Sequence, residues 1–184
     1  KLANHLHLPI QSGSDKVLMA MKRNYTTLEY KSIIKKLRKK LPNVSLTTDL
    51  IIGFPTETTN DFNLTKKLFI ELDFDYSFSF IYSKRPGTPA AYLKDETTDV
   101  EKLERLREIQ SLNIKQGECY TKKMIGTTHR VLIDHFSKKK PGVLLGKTDN
   151  NRIIEFKDSK DLLNKFVNVK VMKILGKSLV GELV

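Results

Sequence analysis

The sequence predicts an α/β fold with a parallel sheet followed by a small β-barrel, and three observations carry that expectation. The first 120 or so residues alternate strand-like and helix-like segments with no hairpin turn between strands, the pattern of βαβ units. The run Leu50-Ile51-Ile52, ending at Gly53, is apolar on both faces, as a buried parallel strand requires. After Gly126 the pattern changes to five short β-type runs separated by Lys/Pro/Gly, Asp-Asn-Asn and Gly-Lys-Ser turns. Short strands with basic turns at that density are the mark of a small antiparallel, OB-like barrel.

Each element has a local reason. His5–Pro9 is a short extended stretch ended by Pro9 and the polar turn Gln11-Ser12-Gly13-Ser14. Ser14 is placed to cap a short helix containing Val17, Leu18 and Met21. Thr26 or Thr27 opens the next helix with Glu29 positioned to complete a capping box. Tyr30, Ile33, Ile34 and Leu37 give that helix its apolar spacing, and Pro42-Asn43 stop it. A strand over Val44–Ile52 follows, then a helix over Thr58–Leu72 with Phe62, Leu64, Leu68, Phe69 and Leu72 as its buried face. Glu57 is read as the residue that caps this helix. Tyr76–Tyr82 is an alternating aromatic strand, and a charged helix from Asp99 to Met124 is amphipathic through Leu103, Leu106, Ile109, Leu112 and Ile114. The β-type runs beyond it are Thr128–Phe136, Val143–Gly146, Arg152–Phe156, Phe166–Ile174 and Leu179–Val184. The boundary falls near residue 122, giving domains 1–121 and 122–184.

Composition narrows the function classes. Residues 1–121 carry 19 Lys/Arg against 15 Asp/Glu, whereas residues 122–184 carry 14 against 6, so the excess charge is concentrated in the last third. A basic surface on a small β-domain is the electrostatic footprint of nucleic-acid binding. The one cysteine, Cys119, excludes an internal disulfide framework and a cysteine-built metal cluster from these residues alone, and agrees with a reducing, cytoplasmic setting. No run approaches the ~18 apolar residues of a membrane span. The opening residues KLANHLHLPI have no signal-peptide character and no initiator Met, and read as the middle of a longer chain.

Ligands of a parallel α/β sheet bind where strands run out at their carboxyl ends. Three such ends are polar and Gly-rich: His7–Ser14, Thr48–Thr58 and Tyr82–Thr88. Glycines there admit close approach of a ligand to the backbone, and Gln11, Ser12 and Ser14 are suited to a ribose or amino-acid head group. His5 and His7 alternate along a strand and face one side. Two histidines fall short of most metal sites, so barrel-interior hydrogen bonding competes with a ligand role. Asp49 and Glu57 are a second, weaker pairing, as acid and base. Lys138-Lys139-Lys140 is a solvated turn or, on a basic barrel, an RNA contact.

Long composite segments carry a resemblance. His5–Asp15 followed by Met21-Lys22-Arg23, then Thr48–Thr58, then Tyr82–Ala91 resemble the radical-SAM methylthiotransferases. The last domain resembles a TRAM domain, most plainly at Gly146-Lys147-Thr148-Asp149-Asn150-Asn151-Arg152. The Gln-Ser-Gly-Ser run, Leu28-Glu29-Tyr30 and the Asn-Asn-Arg turn favour the tRNA-modifying branch. That resemblance implies a partial, truncated TIM-like barrel, S-adenosylmethionine as cofactor, two 4Fe-4S clusters in the complete enzyme, and the tRNA anticodon arm as partner. It places Gln11, Ser12, Ser14, Ile51, Gly53, Phe54, Glu57, Tyr82 and Arg85 at cofactor-facing strand ends, and Lys138, Lys139, Lys140, Lys147 and Arg152 against RNA phosphates. The family's CxxxCxxC loop is absent from this sequence, so no catalytic residue is assigned and the polypeptide alone is expected to be inactive. An open sheet edge in a truncated barrel also implies self-association or partial disorder near residues 1–15. Three other readings stay open: the ribosomal-protein-modifying branch, a non-catalytic RNA-binding module, and an unrelated barrel enzyme with a nucleic-acid module.

Overall fold

The computed structural model describes residues 3–138, 140–157, 161–176 and 178–184. Leu6–Gly117 form one compact unit, and Glu118–Val184 belong to a second. The first is built from most of β1 (His5–His7), α1 (Asp15–Ala20), α2 (Thr27–Lys40), β2 (Ser45–Ile52), α3 (Thr59–Glu71), β3 (Tyr76–Ile81) and most of α4 (Asp99–Lys123). The sheet order is β1-β2-β3, so spatial order follows chain order, and β2 and β3 run parallel in the register Thr47↔Tyr76 to Ile52↔Ile81.

The helix starts follow from their caps. Ser14 accepts from the Val17 N–H, and Thr26 forms a reciprocal capping box with Glu29. The cap of α3 is Thr58, boxed with Asp61, and not Glu57. The Glu57 carboxylate lies one residue too early and turns instead to the Gly53 N–H and the Arg105 guanidinium.

Leu46, Leu50 and Ile52 of β2, with Ile10 in the segment after β1, pack against Tyr30 and Ile34 of α2, Phe62, Leu68 and Phe69 of α3, and Ile109 of α4. Each such fully buried side chain contributes about 1.5–3 kcal/mol. Four residues expected on apolar faces point outward: Ile33, Leu64, Leu103 and Ile114 are 52%, 41%, 40% and 59% exposed. On α4 the reason is polar. Its inner line is Lys102, Arg105, Ile109 and Asn113, and each polar member has a partner. Lys102 reaches Asp95 at 2.6 Å, Arg105 reaches Glu57 at 2.9 Å, and Asn113 pairs with both backbone groups of Ser77 at 2.7 and 3.1 Å. On β3 the same inversion puts Ser77 inside, while Tyr76, Phe78 and Phe80 face away from the helices.

The second unit is a closed barrel of β4 (Thr128–Phe136), β5 (Val143–Thr148), β6 (Ile153–Lys157), β7 (Phe166–Leu175) and β8 (Ser178–Leu183), in the order β4-β5-β6-β8-β7. The all-antiparallel expectation needs one correction: β8 lies between β6 and β7 and pairs with β6 in parallel. Val131, Ile133, Leu144, Ile154, Phe156, Val169, Val171 and Leu179 fill the interior. Gly146 keeps that interior small, since a Cβ there would stand 2.5 Å from the Leu132 carbonyl oxygen. Register shifts at Ile133/His135 and Val171/Lys173 bend β4 and β7 around the closure.

Candidate functional site

In the first unit the carboxyl ends of β1, β2 and β3 form a continuous rim. The Gln11 N–H donates to the Asp49 carbonyl and its carbonyl accepts from the Ile51 N–H, both at 2.9 Å, while the Tyr82 N–H donates to the Ile52 carbonyl at 2.8 Å. Gln11, Ile51 and Tyr82 thus lie on neighbouring strand ends, roughly 10 Å from first to last at the usual strand spacing. Gln11 takes a left-handed φ of 74°, and its side-chain amide has no hydrogen bond among the described residues. The Tyr82 hydroxyl is buried without a partner among the described residues, and its ring meets Phe54 edge-on at 5.0 Å. Arg85 is exposed in the loop beyond, where its carbonyl accepts from the Thr88 hydroxyl at 2.8 Å.

The remaining predicted rim residues are turned into the fold. The Ser12 hydroxyl meets Thr65 Oγ1 at 3.3 Å, and the Ser14 hydroxyl donates to Asp61 Oδ1 at 2.7 Å while capping α1. Asp61 also accepts from the Thr58 hydroxyl and backbone and from Lys16 Nζ. Burial opposes its charge, but these hydrogen bonds outweigh that cost and hold the carboxyl well below the ordinary carboxylate range. Glu57 is the converse. Burial pushes its carboxyl up, offset in part by the Gly53 N–H and Arg105, and its Oε2 is buried without a partner among the described residues.

Two glycines expected to admit a ligand instead admit the protein itself. At Gly13 a Cβ would stand 2.5 Å from the Thr65 Cα, and at Gly53 it would collide with the aliphatic stem of Lys102. Among the three strand ends, only Gly87 opens onto free space.

Asp49 and Glu57 are not brought together as an acid–base pair. Asp49 Oδ1 lies 3.4 Å from His7 Nε2, and Glu57 belongs to Arg105. His7 Nδ1 also meets Thr47 Oγ1 at 2.9 Å, but the residue is exposed and so is hydrogen-bonded without lying in the interior. Among the described residues no three His, Cys, Asp or Glu side chains are grouped to hold a metal ion.

On the barrel, Lys138 and Lys147 are exposed with no partner among the described residues, whereas Lys140 is tied to Glu155 at 2.6 Å. Lys139 lies outside the described residues. Arg152 donates through Nε to the Thr121 hydroxyl at 3.2 Å, and its backbone closes the turn through Thr148. That turn is held to the barrel by His129, whose Nδ1 meets Asp149 Oδ1 at 3.2 Å and whose Nε2 meets Thr127 Oγ1 at 2.9 Å. Sequence reasoning did not single out Arg105, Asp61, Arg130 or Phe166. The signal for the first was available: Lys102 and Arg105 stand three apart on a line that continues through Ile109.

Comparison with known proteins follows this division. Residues 1–69 match the radical SAM superfamily and residues 122–184 match the TRAM domain. A tRNA-2-methylthio-N(6)-dimethylallyladenosine synthase of Methylobacillus flagellatus is 53% identical over 184 residues, all of this chain and 42% of that protein. The synthase of the same name from Nitrosospira multiformis is 52% identical over 182 residues, 99% of this chain and 38% of that protein. The chain therefore spans about two fifths of the length of the curated relatives it matches. The chain thus carries a segment of the radical SAM superfamily and a TRAM domain, and is similar along its whole length to these synthases.

Proposed function

We propose that the chain is part of an enzyme that methylthiolates C2 of N6-isopentenyladenosine next to the tRNA anticodon, in the cytoplasm. The observation that supports this most is the 53% identity over all 184 residues to a synthase of that name. The reading divides the chain into residues 1–121, the later part of a TIM-like radical-SAM barrel, and residues 122–184, an RNA-binding TRAM domain. Among the described residues no helix is long and apolar enough to cross a membrane.

Bound S-adenosylmethionine, with two 4Fe-4S clusters, supplies radical chemistry and the methyl group in this reading. The rim fits a nucleoside-bearing ligand, because the buried Tyr82 hydroxyl and the Gln11 amide, at the carboxyl ends of the sheet, are polar groups without partners among the described residues. Gln11 and Tyr82 bind through side chains and Phe54 forms a wall, whereas Ile51 and Gly53, whose N–H groups donate to the Gln11 carbonyl and the Glu57 carboxylate, shape the backbone of the rim. Arg85 offers an exposed positive charge. Ser12, Ser14 and Glu57 act indirectly, by fixing the path of the backbone that lines the rim. The sequence holds one cysteine, so this polypeptide supplies no set of cluster ligands and is expected to lack the activity on its own.

On the TRAM side, Lys138, Lys139, Lys140, Lys147 and Arg152 neutralise RNA phosphates, which positions the anticodon arm without selecting its sequence. If about four phosphates are neutralised, log K should fall with log salt with a slope of roughly −3 to −4. Substituting Lys138 and Lys147 by Ala should weaken binding and flatten that slope, measured by titrating a labelled anticodon stem-loop and an unrelated hairpin at several salt concentrations. Salt-sensitive binding that prefers the anticodon arm supports the tRNA reading. No binding at low salt would count against it and bring the protein-modifying branch forward.

The same reading makes β1 and β3 the two open edges of the three-stranded sheet, and such edges pair with other copies. Sedimentation of the isolated polypeptide should therefore show concentration-dependent self-association. A strict monomer would remove this part of the proposal.

A further inference from the structure

The outer surface of the barrel carries a feature that phosphate contacts alone leave without a purpose. The pairings Leu132↔Phe166, Leu132↔Lys147 and Lys147↔Ile153 set Phe166, Leu132, Lys147 and Ile153 on one rung across β7, β4, β5 and β6. Phe166 is 58% exposed, Ile153 47% and Leu132 38%. They are not overflow from a crowded interior, since their chain neighbours Val131, Ile133 and Ile154 fill the core and are fully buried. The Arg130 guanidinium lies over the Phe166 ring, 4.0 Å from its centroid.

Among the described residues nothing neutralises this rung. Arg130 and Lys147 are exposed and have no ion pair among the described residues. The acids nearest along these strands are already engaged: Asp134 with His135 at 2.7 Å, Glu155 with Lys140 at 2.6 Å and Asp149 with His129 at 3.2 Å. A planar cation stacked on an exposed ring, with a second cation and apolar side chains beside it, offers a flat surface and positive charge together. An aromatic or guanidinium plane takes a nucleobase by stacking, and the flanking cations take the phosphates on either side. Paired bases are already stacked and shielded, so the surface suits an unpaired nucleotide.

We propose that Phe166 and Arg130, flanked by Leu132, Lys147 and Ile153, form a stacking subsite for an unpaired nucleobase of the bound RNA. The inference rests on the RNA-binding reading of the barrel and adds to it a preference for single-stranded over duplex segments.

The test uses the full 184-residue chain with two RNA probes of equal length, a stem-loop carrying 2-aminopurine in its loop and a blunt duplex. Phe166→Ala should weaken stem-loop binding by roughly tenfold and abolish the fluorescence change of the loop base, with duplex affinity and the salt slope unchanged. Phe166→Tyr should retain both signals, and Arg130→Lys, which keeps charge without the plane, should lose several-fold in stem-loop affinity. Both residues are exposed, and unchanged thermal midpoints would confirm that the variants fold. Equal weakening of both probes by Phe166→Ala, or wild-type affinity for the stem-loop, overturns the stacking subsite while leaving RNA binding standing. Failure of the unsubstituted chain to bind either probe overturns the RNA reading itself, and the subsite with it.

Discussion

Replacing Arg105 by Met is expected to destabilise the Leu6–Gly117 unit by about 3–5 kcal/mol, the cost of leaving a buried charge without its partner. Arg105 donates to the Glu57 carboxylate at 2.9 Å and to the Glu57 carbonyl at 3.3 Å, and lies over the Phe62 ring at 5.6 Å. Methionine replaces the packing over Phe62 but none of the charge. Glu57 then keeps one N–H donor, from Gly53, against full burial. Its carboxyl, already raised by burial, must rise further and take a proton. The pH dependence follows in sign. A carboxyl whose pKa is higher folded than unfolded adds stability below the unfolded value and loses it as pH rises through the folded value. Arg105→Met should therefore be most defective near neutrality and partly recover in mild acid. The recovery has a floor, because Asp61 has a depressed carboxyl and its contribution is lost as pH falls below the ordinary carboxylate range. Adding Glu57→Gln should restore a large part of the loss at neutral pH. Urea denaturation of the two single variants and the double at pH 5.5 and 7.5 would check this. Additive losses with no pH dependence would mean that the pair contributes little.

Gly13→Ala should cost about 3 kcal/mol or more, although it adds one methyl group. The new Cβ would stand 2.5 Å from Thr65 Cα, 2.7 Å from the Leu64 carbonyl oxygen and 2.8 Å from the Thr65 nitrogen. All three are backbone atoms of α3 and cannot swing aside. Overpacking usually costs about 1–3 kcal/mol, and here the displaced turn also takes hydrogen bonds with it. The bonds at risk are Gly13 N–H to Thr65 Oγ1 at 2.9 Å, Ser12 to Thr65 at 3.3 Å, and Ser14 to Asp61 at 2.7 Å. The control is Gly117→Ala. A Cβ there meets only the Asp75 carbonyl oxygen at 3.5 Å, inside α4, so helix propensity should make it neutral or stabilising by up to about 1 kcal/mol. Thermal midpoints of the two variants should move in opposite directions. A Gly13→Ala protein as stable as the parent would show that this turn does not seat on α3.

Much of the fold was legible because its signals are local. Ser14, Thr26 and Glu29 cap helices as their spacing implies, and the apolar run at Leu50–Ile52 is the buried strand it resembles. The β-type run Thr128–Phe136 matches β4 at both ends. What sequence could not give depends on partners distant in the chain. Glu57 looks like a helix cap until Arg105, 48 residues later, is seen to hold it. Gly13 and Gly53 look like ligand-facing glycines until α3 and Lys102 fill the space beside them. Leu103 and Ile114 satisfy helical periodicity, yet the polar residues Lys102, Arg105 and Asn113, each with a partner, occupy the inner face in their place. The rim shows the same limit. Its backbone path is readable from the Gly-rich strand ends, but which side chains remain available, Gln11 and Tyr82, is decided by what the others find within the fold.

The parallel pairing of β6 with β8 has a consequence for the order in which the barrel can assemble. β8 is the last strand of the five along the chain, yet it is a middle plank, with β6 on one side and β7 on the other. During synthesis at roughly 5–20 residues per second, β4 to β7 emerge first and can join as a four-stranded sheet in the order β6-β5-β4-β7. Until β8 arrives, that intermediate has an unzipped seam exposing β6 and β7 and the apolar side chains behind them. The ribosome thus delivers the closing plank last. The seconds before it arrives are the interval in which the nascent barrel is most open to capture by a chaperone or by a neighbouring chain.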